Sequence, residues 1–194
     1  MQQENTPEEP PASESMAGQP VKQQVRAPHR ALRARTFYGI AALVCGVDQG
    51  SKLWAMSHLY WGTPVPVVGY QFDLRLTRNT GGAWSMAPHA NTLFIVFAFA
   101  AIAALITAYH RMREVDLLVG GAFALALGGA VGNVLDRVRL HFVIDFFEIS
   151  AIHWPIFNVA DSAITLSIVL LVLHFLMPER MRVVSSARTR REES

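Results

Sequence analysis

Two stretches of the sequence, residues 91–109 and 117–135, contain no charged side chain. Each is close to the roughly 20 apolar residues that an α-helix needs to cross the hydrocarbon core of a bilayer. The alternative is a soluble protein with very apolar buried helices, which two uninterrupted stretches of this length disfavour. The sequence therefore predicts a membrane protein.

Two further segments have the length of a membrane span but carry charge. Residues 37–57 contain Asp48 and Lys52, and residues 158–177 contain Asp161 near their start. Only 16% of the residues are charged, whereas a soluble domain has about a quarter. We therefore predict an all-α membrane protein of four transmembrane helices that spans residues 37–177.

Small residues mark one face of the third predicted span. Ala124, Gly128 and Gly132 follow one another at four-residue spacing, which predicts that another helix packs closely against this face. The single cysteine, Cys45, lies in an apolar run and is expected to behave as a small buried hydrophobic residue.

The predicted orientation follows from the basic residues outside the spans. Residues 1–36 and 178–194 are expected to be basic tails, and the first is expected to be disordered because residues 1–20 have almost no aliphatic side chains. The basic residues are Lys22, Arg26, Arg30, Arg33, Arg35, Arg111, Arg113, Arg180, Arg182, Arg188, Arg190 and Arg191 on one side, and Arg75, Arg78, Arg137 and Arg139 on the other. Because basic loops favour the cytoplasmic side, both termini are predicted to be cytoplasmic.

The two outer loops carry different signals. Residues 71–77 alternate between polar and apolar side chains, which is the period of a half-buried strand, and the prolines and glycine of residues 64–69 are typical of turns. The second loop, residues 146–157, contains Trp154, a residue type that is favoured at membrane interfaces. We predict a small sheet on the outer membrane surface and a second loop that rests at the interface.

Polar and ionisable residues at membrane depth are costly and usually functional. They are Asp48 and Lys52 in the first span, Asn79 before the second, Asn133, Asp136 and Arg137 at the end of the third, Asp145 in the second outer loop, and Asn158 and Asp161 at the start of the fourth. The predicted topology places all of them in the outer half of the membrane or at its outer face. Asp48 and Lys52 lie four residues apart on one helix face, so a purely structural ion pair remains an alternative for them.

Paired aspartates can activate a water molecule, because two like charges at close range separate their pKa values. One carboxylate acts as a general base while the other protonates the carbonyl oxygen or the leaving group. Asp145 and Asp161 are the candidates for such a pair. Aspartates at a membrane face are also commonly helix caps or ion-pair partners, and this alternative stays open.

Other chemistries have less support in the sequence. Ser51 and Lys52 are adjacent, so on a helix they do not face each other, and the sequence contains no zinc-binding histidine spacing, nucleophile elbow or glycine-rich phosphate loop. We therefore expect no metal and no cofactor, and the net charge of +2 gives no reason to expect nucleic acid. A small proton-coupled transporter is the alternative function, although the sequence shows no internal repeat. A non-catalytic membrane scaffold is a further alternative.

Five sequence blocks together resemble the lipoprotein signal peptidase (signal peptidase II) family. They are DQGSK (48–52), NTGGAW (79–84), GAVGNVLDR (129–137), VIDF (143–146) and FNVADS (157–162). The resemblance covers residues 37–177, and it is specific because all five blocks occur in the family's order.

The resemblance implies a four-span fold with an outer β-cradle, an outer interfacial helix and a catalytic pair made of Asp145 and Asp161. It also implies that the site is surrounded by Asp48, Lys52, Asn79, Asn133, Arg137, Asn158 and Ala160, and that Asp136 is a support that orients Arg137 or the helix end. The implied substrate is a diacylglyceryl-modified prolipoprotein that is cut before its lipidated cysteine, in a bacterial plasma (inner) membrane. Membrane phospholipids and the inhibitor globomycin are the other expected partners.

Three residues depart from the family pattern. His141 and Ser167 stand where glycine is usual, and Trp84 stands where phenylalanine is usual. None of them removes a polar group from the expected site, so we expect their effects on loop shape and helix packing.

Overall fold

The computed structural model describes residues 32–69, 71–81, 91–112, 116–152 and 154–176. The elements within them are α1 (Ala34–His58), β1 (Pro64–Val68), β2 (Phe72–Asn79), α2 (Asn91–Arg111), α3 (Leu117–Leu140), β3 (Val143–Glu148) and α4 (Val159–Leu176). Of the predicted tails, residues 1–36 and 178–194, only residues 32–36 are among the described residues. Trp84 lies outside the described residues. The first helix begins slightly earlier than predicted.

Three of the helices are long and apolar enough to cross a membrane. They are α2, α3 and α4, with mean hydropathies of 2.3, 1.8 and 2.1. Helix α1 has 25 residues, a sufficient length at about 1.5 Å of rise per residue, but it carries the charged residues Asp48 and Lys52. The mostly helical membrane fold is therefore confirmed, with three candidate membrane helices and a small sheet.

Helix α3 lies at the centre and packs against each of the other three helices. A Cβ atom added at Gly128 would lie 2.6 Å from the carbonyl oxygen of Ala41 in α1, and one added at Gly129 would lie 2.5 Å from that of Ala160 in α4. Such distances leave no room for a side chain, so the backbones of α1 and α4 approach α3 directly. The predicted close packing on the small-residue face of this helix is confirmed.

The three strands form an antiparallel sheet in the order β1-β2-β3. Strand β2 confirms the strand predicted at residues 71–77. Residues 64–68, which were expected in turns, instead form the edge strand β1, a position where proline is tolerated because part of an edge strand donates no ladder hydrogen bond. Strand β3 has no counterpart in the sequence-based prediction, and its register places Asp145 opposite Thr77 of β2.

Two of the departures from the family pattern have a structural account. His141 follows α3 with a φ of 66°, in the left-handed region that glycine adopts without steric penalty. Ser167 is buried in α4, and its hydroxyl donates to the carbonyl oxygen of Ile164 in the same helix at 2.8 Å. The serine therefore brings no unsatisfied polar group into the helix packing.

The segment between β3 and α4 folds back along the sheet. The N–H of Phe157 donates to the carbonyl oxygen of Phe147 at 3.0 Å, and the reverse bond measures 2.9 Å. In the part of this segment that the structure describes, the helical content is a 3-10 turn at Ser150–Ile152. The expected interfacial helix is thus a single turn there, followed by the exposed side chain of Trp154.

Candidate active site

Asp145 is presented by β3 and is 1% exposed. Its Oδ1 accepts a hydrogen bond from Nδ2 of Asn158 at 2.7 Å, and its Oδ2 accepts one from Nδ2 of Asn79 at 2.9 Å. Because Asn79 ends β2 and Asn158 precedes α4, the carboxylate is held between the sheet and the helix bundle.

Asp161 belongs to the first turn of α4 and forms a reciprocal cap with Asn158. The N–H of Asp161 donates to Oδ1 of Asn158 at 2.9 Å, and the N–H of Asn158 donates to Oδ2 of Asp161 at 3.3 Å. This is the geometry of a capping box, which satisfies two backbone donors at a helix start. The remaining oxygen, Oδ1, accepts from Nδ2 of Asn133 at 2.8 Å. Asp161 therefore acts as a cap, as the alternative interpretation allowed, while it also faces the site.

The two carboxylates are electrostatically coupled. The pKa of Asp145 is raised to about 7 by burial and, to a lesser extent, by the negative charge of Asp161, against the hydrogen bonds from Asn79 and Asn158, which lower it. A carboxyl group with this pKa exchanges its proton near neutral pH. The arrangement is therefore able to hold one proton in the pair and to use it in acid–base chemistry.

A second charged cluster lies behind the pair, at Lys52 of α1. Its Nζ forms ion pairs at 2.8 Å with Oδ2 of Asp48 and at 2.8 Å with Oδ2 of Asp136. The N–H of Ile144 at the start of β3 also donates to Asp136, at 3.2 Å. Asp136, which was expected to orient Arg137 or the helix end, thus contacts Lys52 and the strand that carries Asp145.

Asp48 connects this cluster to α4. Its Oδ1 accepts a hydrogen bond from the N–H of Ala160 at 2.9 Å, so α1 supplies a cap to the first turn of α4. The approach depends on Gly132 of α3, because a Cβ atom there would lie 2.5 Å from Oδ2 of Asp48. Ala160 thus contributes its backbone, one residue before Asp161.

Gln49 is a site residue that the sequence-based prediction missed. Its Nε2 shares its two hydrogens among three acceptors, Asp48 at 3.2 Å, Asp136 at 3.1 Å and the carbonyl oxygen of Gly132 at 3.1 Å. The signal for it was available, because Gln49 lies inside the first of the five family blocks, between two residues that were chosen.

A cavity of about 260 Å³ opens beside Asp161. Its lining includes the polar residues Asn79, Asn133, Arg137, Asp161 and Thr165, and the other lining residues are Val143, Trp154, Pro155, Ile156, Phe157 and Ile164. The guanidinium of Arg137 lies 4.6 Å from the ring centre of Phe94. Within the described part of the chain, Nη1 of Arg137 is buried and has no hydrogen-bond partner, so this lining residue retains an unpaired donor.

The structure brings all of the predicted site residues into this one region, in two clusters that share Asn133. Among the described residues, no group of three or more histidine, cysteine, aspartate or glutamate side chains has an arrangement that could hold a metal ion. The donors and acceptors present are those of carboxylates, amides and two cationic side chains.

Comparison with known proteins identifies relatives of this chain. The sequence profile of the family described as signal peptidase (SPase) II matches residues 40–177. The lipoprotein signal peptidase of Geobacillus kaustophilus (strain HTA426) is 36% identical over 149 residues, which cover 74% of this chain and 97% of the relative. That of Geobacter metallireducens (strain ATCC 53774 / DSM 7210 / GS-15) is 36% identical over 151 residues, which cover 75% and 93%.

A solved structure agrees with these sequence relatives. It is described as a bacterial membrane enzyme determined by the in meso method at 2.3 Å resolution, and it matches with a TM-score of 0.71 and 28% identity over 77% of this chain and 93% of the other. The paired aspartates and the family profile lie in the same region of the chain. On this combination of fold, site and sequence, the chain belongs to the signal peptidase II family.

Proposed function

We propose that this chain is a membrane aspartyl endopeptidase that removes the signal peptide from diacylglyceryl-modified prolipoproteins and cleaves before the lipidated cysteine. The relatives named lipoprotein signal peptidase support the substrate class, because the chain covers nearly their whole length. The observation that carries the mechanism is the pair of carboxylates, buried Asp145 and half-buried Asp161, whose four oxygens each accept a hydrogen bond and of which Asp161 lines a cavity.

In the proposed mechanism, Asp145 and Asp161 hold a water molecule and share one proton. The ionised carboxylate takes a proton from the water as the water oxygen attacks the scissile carbonyl carbon, and the protonated carboxyl donates to the carbonyl oxygen. When the C–N bond breaks, a proton passes to the leaving nitrogen. The pKa of about 7 for Asp145 supports this scheme, since a group with such a pKa is able to carry the shared proton at neutral pH.

The surrounding residues have supporting roles in this proposal. Asn79, Asn133 and Asn158 orient the two carboxylates through the hydrogen bonds that they donate. Arg137 contacts the substrate backbone or a lipid phosphate, because its free Nη1 belongs to a residue that lines the cavity. Ala160 and the cluster of Asp48, Lys52 and Asp136 set the position of the start of α4.

For the membrane arrangement we propose that all four helices cross a bacterial plasma membrane, with both termini cytoplasmic and the site near the extracytoplasmic face. The sheet joins the end of α1 to the start of α2, and β3 joins the end of α3 to the start of α4. The site therefore lies at one end of the bundle, while Arg33, Arg35 and Arg111 lie at the other. In this arrangement the sheet is the outer cradle and phospholipids surround the apolar helix faces.

A cysteine-labelling experiment tests this topology. Cys45 is first replaced by alanine, and single cysteines are then introduced near each terminus, in the segment around Arg111 and in the loop before α2. In intact cells, a reagent that does not cross the membrane should label only the cysteine in the loop before α2. Labelling of either terminus from outside would contradict the proposed orientation.

The transporter alternative is less well supported. A proton relay across the membrane needs ionisable groups in both halves of the bundle. The buried charged residues of the described chain are Asp48, Lys52, Asp136, Arg137 and Asp145, and they converge with Asp161 on one end. This convergence favours a single site that works at an interface.

The function is tested with purified protein and two synthetic peptides that contain the same lipoprotein cleavage sequence. One peptide carries diacylglycerol on its cysteine and the other does not. Mass spectrometry should detect a single cut before the cysteine in the lipidated peptide, and globomycin should block it. Intact lipidated peptide after prolonged incubation, with the protein shown to be folded, would refute the proposal.

A further inference from the structure

The ammonium group of Lys52 is saturated by three oxygen atoms. Besides the two ion pairs with Asp48 and Asp136 at 2.8 Å, its Nζ donates to Oδ1 of Asn133 at 2.9 Å. Lys52 is 1% exposed, and an ammonium has three donors and no acceptor. Gln49 stabilises this position of the ammonium group, because it donates to both of the carboxylates that form ion pairs with Lys52.

The contact with Lys52 determines how the amide of Asn133 is oriented. Since an ammonium only donates, the atom of Asn133 that faces it must be the carbonyl oxygen. The same oxygen accepts a second bond, from Nδ2 of Asn158 at 3.1 Å, so two donors point at it. Rotation of the amide by 180° would place its NH₂ group against both donors. The NH₂ group is therefore directed to Oδ1 of Asp161, at 2.8 Å.

We propose that Lys52 is a positioning residue that acts through Asn133: it fixes the amide so that an N–H, and not a carbonyl oxygen, faces Asp161. The proposal rests on the aspartyl peptidase function proposed above. With the amide reversed, Oδ1 of Asn133 would face the carboxylate of Asp161, and two acceptors would meet at the reacting group. Lys52 therefore influences the reaction without touching the substrate.

A simpler account is that Lys52 only neutralises two buried carboxylates. Lys52→Met alone does not separate the two accounts, since it leaves both carboxylates unpaired and is expected to destabilise the fold. The double variant Lys52→Met/Asp136→Asn removes one positive and one negative charge, so the net charge of the cluster is unchanged. It also removes the donor to Asn133.

The double variant should recover part of the thermal stability that Lys52→Met loses, because only one of the two carboxylates then remains charged without its partner. Its kcat on the lipidated peptide should nevertheless remain about tenfold or more below wild type, with KM little changed, because the Asn133 amide has lost one of the two donors that orient it toward Asp161. The same double change in an Asn133→Ala background should have little further effect on kcat, since Lys52 then has no amide to orient. The proposal would be overturned if the double variant recovered kcat as well as stability. It would also be overturned if the double change and Asn133→Ala each lowered kcat by the same factor when combined as when made separately.

A second variant tests the proposal without any change at Lys52. Asn133→Asp keeps the size of the side chain and an oxygen for Lys52 to contact, but at neutral pH it offers no N–H to Asp161. Its kcat should fall as far as that of Asn133→Ala. Wild-type kcat in Asn133→Asp would show that the donated N–H is not needed, and the proposal would fail.

Asp161→Asn is measured in the same series as the inactive reference. If Asp161→Asn cleaves as well as wild type, the aspartyl peptidase function itself is wrong. If Asp161→Asn is inactive and the Lys52 double variant is fully active, the function stands and only the role of Lys52 is wrong.

Discussion

Gly132→Ala tests how closely α1 and α3 must approach for the site to form. The added Cβ would lie 2.5 Å from Oδ2 of Asp48, so Asp48 must move away from its positions beside Lys52 and the N–H of Ala160. Alanine favours the helix by about 1 kcal/mol, which roughly offsets the loss of one helix cap, also about 1 kcal/mol. What remains is the disruption of a buried ion pair, about 3–5 kcal/mol when one partner is lost.

Gly121→Ala is the matched control, because it changes the same residue type in the same helix and its Cβ would meet nothing within 4 Å. The control should gain up to about 1 kcal/mol from helix propensity. Gly132→Ala should instead lower the Tm in detergent by roughly 10 °C and reduce cleavage of the lipidated peptide. Equal stability and activity in the two variants would refute the argument that Asp48 occupies the space of that side chain.

Four further predictions follow from the site and the loops. Asp145→Asn and Asp161→Asn should each lower cleavage of the lipidated peptide by several orders of magnitude in protein that is still folded, since members of a catalytic unit fail together; a well-folded, active Asp145→Asn would contradict the pair. Because the pKa of Asp145 is raised from 3.8 to about 7, chiefly by burial, the folded protein binds, between about pH 4 and pH 7, a proton that the unfolded chain has released. The free energy of unfolding should therefore fall as pH rises from about 4 to about 7 and stay level above pH 7. In Asp145→Asn, the Tm measured over the same pH range should fall less than in wild type, because the titrating carboxyl group is absent. His141→Gly should increase the free energy of unfolding by about 1 kcal/mol, and so raise the Tm, because glycine has no steric penalty at a φ of 66°. An unchanged or lower Tm would contradict this. EDTA should leave cleavage unchanged, whereas loss of activity that zinc restores would rule out the proposed chemistry.

Local patterns were sufficient to predict the helices and one strand. The charge-free stretches at residues 91–109 and 117–135 are properties of single segments, and they became α2 and most of α3. The alternation at residues 71–77 is equally local and became β2. In each case the decisive signal lies within the segment, so no knowledge of a partner was needed.

Three features that depend on a partner were not predicted. The prolines of β1 suggested turns, and a strand forms there because β2 offers a pairing edge. Strand β3 follows α3 after a left-handed residue, His141, which carries no glycine signal in this chain. Gln49 was passed over although it lies inside a family block, because its role depends on contacts with two carboxylates, one of which, Asp136, belongs to another helix.

The small residues of α3 connect the packing of the helices to the chemistry of the site. Gly128 admits the backbone of α1, Gly129 admits the backbone of α4 at Ala160, and Gly132 admits the side chain of Asp48. Because all three lie on one helix, α1 and α4 are brought close enough for Asp48 to accept the N–H of Ala160 at 2.9 Å. Asp161 is the next residue, so its position follows from the distance between two helices that α3 holds together. A larger side chain on this face would therefore affect the catalytic carboxylate through the backbone that carries it, even though the substituted residue does not contact that carboxylate.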